Sequence, residues 1–112
     1  MTKQPKPVVN NAQAANILQL QYWGVWSYQR YVDNVQREVD KMHPGKFRFD
    51  LRKDPGVTGR LEINISSVVN PAEKRQTHSK LKGEGYPEQN WIGFHSRLEK
   101  AMEELNMIEW MI

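Results

Sequence analysis

Between residues 17 and 42 the spacing of apolar side chains changes from every second residue to every third or fourth, across one short segment. Leu18, Leu20 and Tyr22 alternate with Gln19 and Gln21, the period of a β-strand. Ile17 adds an apolar group on the opposite face, which predicts a strand covered on both sides. From Tyr28 onward, Tyr31, Val32, Val35, Val39 and Met42 recur at helical spacing, with Asp33, Gln36, Arg37, Glu38 and Asp40 on the wet side. Ser27 is placed to cap this helix, and His43-Pro44-Gly45 to end it. A strand that runs straight into a helix and then into a second strand is a β-α-β unit. Its strands are expected to lie parallel with a right-handed crossover.

The second strand is expected over Lys46 to Arg52, with Phe47, Phe49 and Leu51 inward, and Asp54-Pro55-Gly56 as the turn after it. Arg60 to Ser66 alternates most regularly, Leu61, Ile63 and Ile65 against Glu62 and Asn64. Asn70-Pro71 marks a loop, and Arg75 to Leu81 is a weaker, polar strand expected to pair antiparallel with its predecessor. After a loop over 83–87, Asn90 to Leu105 reads as a second amphipathic helix with Trp91, Phe94, Leu98, Ala101, Met102 and Leu105 inward. The order β-α-β-β-β-α predicts an α/β sandwich, a four-stranded mixed sheet with two helices. Residues 1–16, with Pro5, Pro7 and almost no bulky apolar group, form a flexible extension; 17–106 is the domain, and 107–112 an apolar tail.

Composition narrows the function. The 112 residues include no cysteine, which removes disulfides, thiolate metal sites and cysteine nucleophiles together. Asn64-Ile65-Ser66 matches a glycosylation sequon but falls inside an expected strand with no secretory signal before it. No apolar run approaches the roughly 20 residues of a membrane span, and neither a transit peptide nor a lipidation site is evident, so a soluble, cytoplasmic protein is expected. The net charge is +3, but Lys3 and Lys6 in the N-terminal extension account for most of it. The basic stretch from Lys41 to Arg60 is balanced by an acidic lean over 97–109. Nucleic-acid binding is therefore not expected. His43, His78 and His95 are dispersed without ligand spacing, so no metal and no cofactor is expected. Lys80, Lys82, Gly83 and Gly85 lack the phosphate-loop pattern, and Gly45-Lys46-Phe47-Arg48-Phe49 only faintly echoes an RNA-recognition strand.

Four ordered blocks carry a family resemblance: Tyr22-x-Gly24-x-x-x-Tyr28, Met42-His43-Pro44-Gly45, Thr58-Gly59-Arg60-Leu61-Glu62-Ile63, and His78-Ser79-Lys80-Leu81-Lys82-Gly83-Glu84-Gly85-Tyr86. With these the chain resembles selenoprotein W and its relatives over about residues 17–105. The resemblance implies a thioredoxin-like fold and a redox motif, C-x-x-C or C-x-x-selenocysteine, at the turn from first strand to first helix. That motif aligns with Trp23-Gly24-Val25-Trp26. In the family pattern the helix N-terminus stabilises a thiolate and the second sulfur or selenium resolves the mixed disulfide. Indole has no ionisable group in this range and offers only an N–H donor.

Two readings follow. In the first, the redox pair is lost and the domain is a non-catalytic protein-interaction or structural subunit. Trp23, Gly24, Val25 and Trp26 would then form a binding edge with Thr58, Gly59 and the hairpin residues His78, Ser79, Lys82, Gly83, Gly85 and Tyr86. The partner would be a protein in a larger assembly, and Trp110, Met111 and Ile112 in the tail a second contact. In the second, the chain is a glutathione-linked thiol or selenol oxidoreductase of cell redox homeostasis. Its residues 23 and 26 are then cysteine or selenocysteine read as tryptophan, because UGA is translated as each of these in different codes.

Overall fold

Strand β1 (Asn16–Trp23) lies inside the sheet, and the other strands are placed by pairing with it or with its neighbour. The computed structural model describes residues 14–105. Within them β1 leads to helix α1 (Trp26–Met42), then to strands β2 (Phe47–Asp54), β3 (Leu61–Ser67) and β4 (Arg75–Ser79). A single 3-10 turn (Pro87–Asn90) opens onto helix α2 (Trp91–Glu104). The strand order is β2-β1-β3-β4: β1 runs parallel to β2 and antiparallel to β3, and β4 returns antiparallel to β3. This is the expected α/β arrangement, a mixed four-stranded sheet with two helices, compatible with a thioredoxin-like fold. The tail residues Trp110, Met111 and Ile112, and most of the N-terminal extension, lie outside the described residues.

One sheet face carries the core. Leu18, Leu20 and Tyr22 of β1 and Leu61, Ile63 and Ile65 of β3 are fully buried and pack with Val32, Val35 and Val39 of α1 and with Phe94 and Leu98 of α2. Each such aliphatic side chain contributes roughly 1.5–3 kcal/mol by leaving water, which is why the alternating pattern locates β1 and β3 so well.

Several local expectations are corrected. The opposite sheet face is polar: Gln19 Nε2 donates to Asp50 Oδ2 and Gln21 Nε2 to Asp54 Oδ1, both at 3.3 Å, and among the described residues no helix lies over it. Ile17 is half-buried there. Helix α1 starts two residues earlier than expected. Val25, in extended conformation, is its N-cap without a side-chain hydrogen bond, and Ser27 sits inside the first turn. Met42 and Leu51 are 48% and 39% exposed: helical and strand phase put both near the core, but both lie at its margin. Asp54 belongs to β2 rather than to the turn, because it is buried by side-chain partners described below. The polar strand β4 ends at Ser79, and its Thr77, His78 and Ser79 are buried, since each finds hydrogen-bond partners inside. The 3-10 turn went unanticipated. It forms because Tyr86 N–H donates to Gln89 Oε1 (2.8 Å) while the Gln89 N–H reaches the Tyr86 carbonyl (3.0 Å).

Two histidines make this fold sensitive to acid. His43 sits where α1 hands over to β2, edge-on to Phe47. Burial depresses its pKa; His95 and Lys46 add to this, and Glu99 opposes it. Burial likewise lowers His78, against its bond to the Gly85 carbonyl and the charge of Glu84. In the unfolded chain both take up protons near pH 6.5. Their stabilising contribution is therefore complete above that pH and is lost as the pH falls below it. Urea unfolding between pH 7.5 and 5 should show declining stability, and a His43→Gln, His78→Gln double variant should flatten that slope.

Candidate functional site

The strand-to-helix turn is held at the end of the sheet by β1's neighbours on both sides. Trp23, the last residue of β1, stands opposite Asp54 in β2 and donates its backbone N–H to the Arg60 carbonyl (3.0 Å). Gly24 follows where the backbone runs close to β2: a Cβ there would lie 3.3 Å from both the Asp54 carbonyl oxygen and Lys53 Cβ. The Val25 carbonyl then accepts the Tyr28 and Gln29 N–H groups at 3.0 and 3.2 Å and starts the helix.

The two tryptophans diverge. Trp23 is half-buried against the core, its ring 5.5 Å from Tyr28 in an edge-to-face contact. Trp26 is 79% exposed. Tyr28 gathers the remaining blocks. Tyr86 lies edge-on to it at 5.8 Å and stacks on Tyr31 at 3.9 Å. Lys80 Nζ lies 5.9 Å from the Tyr28 ring and 5.5 Å from the Tyr86 ring, a cation against two π-faces. The hydroxyls form a relay, Tyr86 donating to Tyr28 (3.5 Å) and Tyr28 to the Gly59 carbonyl (3.4 Å). Gly59 has φ +62°, a conformation that glycine adopts without strain. The turn at Trp23–Trp26, the loop at Gly59 and the hairpin end at Tyr86 are thus brought together by a helical tyrosine.

The loop carrying Thr58 and Gly59 is clamped by Asp54. Its carboxylate accepts from Arg60 Nε (2.9 Å) and Nη2 (2.7 Å), from Thr58 Oγ1 (2.8 Å) and from Gln21. The Arg60 hydrogen bonds, helped by those of Thr58 and Gln21 and opposed by burial, hold Asp54 down at about 2. Thr58 Oγ1 faces this carboxylate.

The hairpin residues divide by role. His78 is buried, with Nε2 2.7 Å from the Gly85 carbonyl and Nδ1 3.2 Å from Arg97 Nη2. That pairing requires the neutral tautomer with its proton on Nε2. Ser79 donates to Glu62 Oε1 at 2.5 Å and accepts the Lys82 N–H at 3.1 Å. Gly83 and Gly85 have φ +92° and +66° and let the chain turn back, and a side chain on Gly85 would meet Gln89 Oε1. His78, Ser79, Gly83 and Gly85 therefore shape the hairpin, while Lys82 points to solvent and Tyr86 alone reaches the aromatic cluster. Tyr28 and Lys80, absent from the expected site, are its hub. Both stood inside the resembling blocks, but Tyr28 read as a core position and its contact to Tyr86 spans 58 residues.

Chemically, the cluster presents phenols, one ammonium and one free indole. Hydrogen bonding to Tyr28, then burial, pushes Tyr86 up to about 12, so its hydroxyl stays protonated at neutral pH. The chain has no thiol. Among the described residues no group of histidine, aspartate and glutamate is arranged to hold a metal, and no helix is long and apolar enough to cross a membrane. No protein-family model matches the chain, and no curated protein matches it either.

Asp54→Asn should cost on the order of 2 kcal/mol, because it removes the charge that binds Arg60 inside a buried site. Tyr28→Phe breaks the hydroxyl relay and should cost about 1 kcal/mol. Denaturant melts at pH 7 measure both.

Proposed function

We propose that the chain is a selenoprotein W-like domain without redox catalysis, whose strand-to-helix turn binds a protein partner through Trp26. Trp26 is a large apolar side chain, 79% exposed, on the first turn of α1, beside the carboxyl end of an interior strand. Open α/β sheets offer their ligand and partner sites at that end of the strands, and tryptophan is enriched among interface hot spots. The observation that carries this reading is the contrast between the two rings: Trp23 is used up in packing, and Trp26 is left to solvent. The aromatic cluster of Tyr28, Tyr31 and Tyr86 with Lys80 holds Trp23, at the other end of the turn. The four residue blocks support the kinship, since each occupies a structural joint: the turn, the end of α1, the Asp54 clamp and the hairpin.

The oxidoreductase reading requires cysteine or selenocysteine at 23 and 26. The fit of the Trp23 ring against Tyr28 weighs against it, because a cysteine there would leave that edge-to-face contact empty. Cytoplasmic placement and the absence of a cofactor belong to the same proposal.

Affinity capture from the natural cells, with the partner quantified, tests it. Trp26→Ala should lower recovery of the partner at least fivefold while the melting temperature stays within about 2 °C of wild type, as for an exposed side chain. Trp23→Ala should instead destabilise the fold by roughly 2–3 kcal/mol, as for a partly buried aromatic. Unchanged recovery with Trp26→Ala removes that residue from the interface and ends the proposal.

A further inference from the structure

At the end of the sheet where β1 stops, β2 and β4 also stop and β3 begins. The β1–α1 turn, the β2–β3 loop and the segment after β4 therefore emerge side by side. Each leaves one large apolar side chain in solvent: Trp26, Val57 and Leu81 are 79%, 86% and 66% exposed. Exposed apolar groups standing singly are ordinary, but these three share their end of the sheet with an unbalanced set of charges. Lys53 is level with Tyr22 in the β1–β2 register and lies beside Gly24. Lys80 donates its N–H to the Leu61 carbonyl (3.1 Å), and its ammonium stands over Tyr28 and Tyr86. Lys82 is exposed two residues further on.

Among the described residues none of these three lysines forms an ion pair, whereas the carboxylates around them are committed. Asp54 pairs with Arg60 (2.7 Å) and Glu84 with Arg97 (3.5 Å). Glu62 accepts the Ser79 hydroxyl and the Leu81 N–H. The first turn of α1 carries no acidic residue. Three lysines thus stand against the single charge of Glu62. Ala14 and Leu105, the first and last described residues, lie at the opposite end of the sheet. There the Ala15 carbonyl accepts the Val68 N–H, and Leu105 lines a cavity with Ser67 and Asn70. The length of β1, about 25 Å, separates that end from the turn.

We infer that the partner presents an acidic segment with interspersed apolar side chains, its carboxylates on Lys53 and Lys82 and its apolar groups on Trp26, Val57 and Leu81. The inference rests on the reading of Trp26 as a protein contact and adds the chemistry of what it meets. Charge complementarity selects the sign: Lys80, fixed over its two rings, adds positive potential behind the exposed pair. The interleaving selects a protein segment over a nucleic acid. A phosphate backbone would meet Glu62 among the lysines and would leave Val57 and Leu81 without partners.

Fluorescence anisotropy with the full chain and labelled probes tests this. The probes are a peptide of repeated Glu-Glu-Leu-Phe, its counterpart with Gln for Glu, single-stranded poly(U) RNA, and phosphatidylserine vesicles. Wild type should bind the Glu peptide at least tenfold more tightly than the Gln peptide, with affinity falling as salt rises. It should prefer the Glu peptide to RNA and to vesicles. Lys53→Glu, Lys82→Glu should weaken that binding about tenfold or more, and Lys53→Gln, Lys82→Gln, which adds no negative charge beside Asp54, about threefold. Equal binding of the two peptides, tighter binding of RNA or vesicles, or lysine variants that bind like wild type would each overturn the inference. The same variants in affinity capture keep it separate from the Trp26 reading. Partner recovery that falls with Trp26→Ala but is unchanged by both lysine pairs ends the acidic partner and leaves the contact standing. Recovery that falls with the lysine pairs and not with Trp26→Ala removes the tryptophan instead.

Discussion

The simultaneous pairing of β1 with β2 and β3 is the constraint on which the rest of the molecule depends. Each of its eight residues has a partner in β2 and seven have one in β3, so its register sets the register of the sheet. A one-residue slip would turn Leu18, Leu20 and Tyr22 out of the core. The same pairing carries the chain to Trp23, bonded on one side to the β3 approach and placed on the other against Asp54. Where the turn lies, and which tryptophan faces solvent, are consequences of how β1 ends.

Around that end, polar locks do what a larger core would do in a longer chain. Asp54 with Arg60 and Thr58 ties one loop, and His78 with Gly85 and Arg97 ties the hairpin to α2. Buried charges and imidazoles are costly unless paired, and Asp54 and His78 have the partners to match. Residues that look like a binding motif in the linear sequence are largely spent on this work. At the turn itself, the Trp26 ring is left to solvent.

The sequence revealed the elements whose burial is periodic. β1, β3 and both helices follow from alternation or helical spacing, and the parallel β1–β2 pair from the helix between them. It was misleading where burial is polar or marginal. Asp54 read as a turn residue because its partners Arg60 and Thr58 act through space; Thr77 to Ser79 read as a weak strand because their burial rests on hydrogen bonds. Ser27 looked like a cap by residue type alone, but backbone geometry gives that position to Val25. The candidate site was half legible. The strand-to-helix turn followed from the change of period across Trp23–Trp26, whereas the cluster of Tyr28 with Lys80 and Tyr86 depends on contacts between distant parts of the chain. The difference between the two tryptophans could not be read from residue type.

The claim that this turn no longer performs thiol chemistry meets its most direct test in the intact mass of the protein purified from its natural source, with peptide sequencing across residues 17–30. Tryptophan at both 23 and 26, in a chain of 13.2 kDa, is the expected result. A lower mass that assigns cysteine or selenocysteine to either position would contradict it and return the turn to redox catalysis.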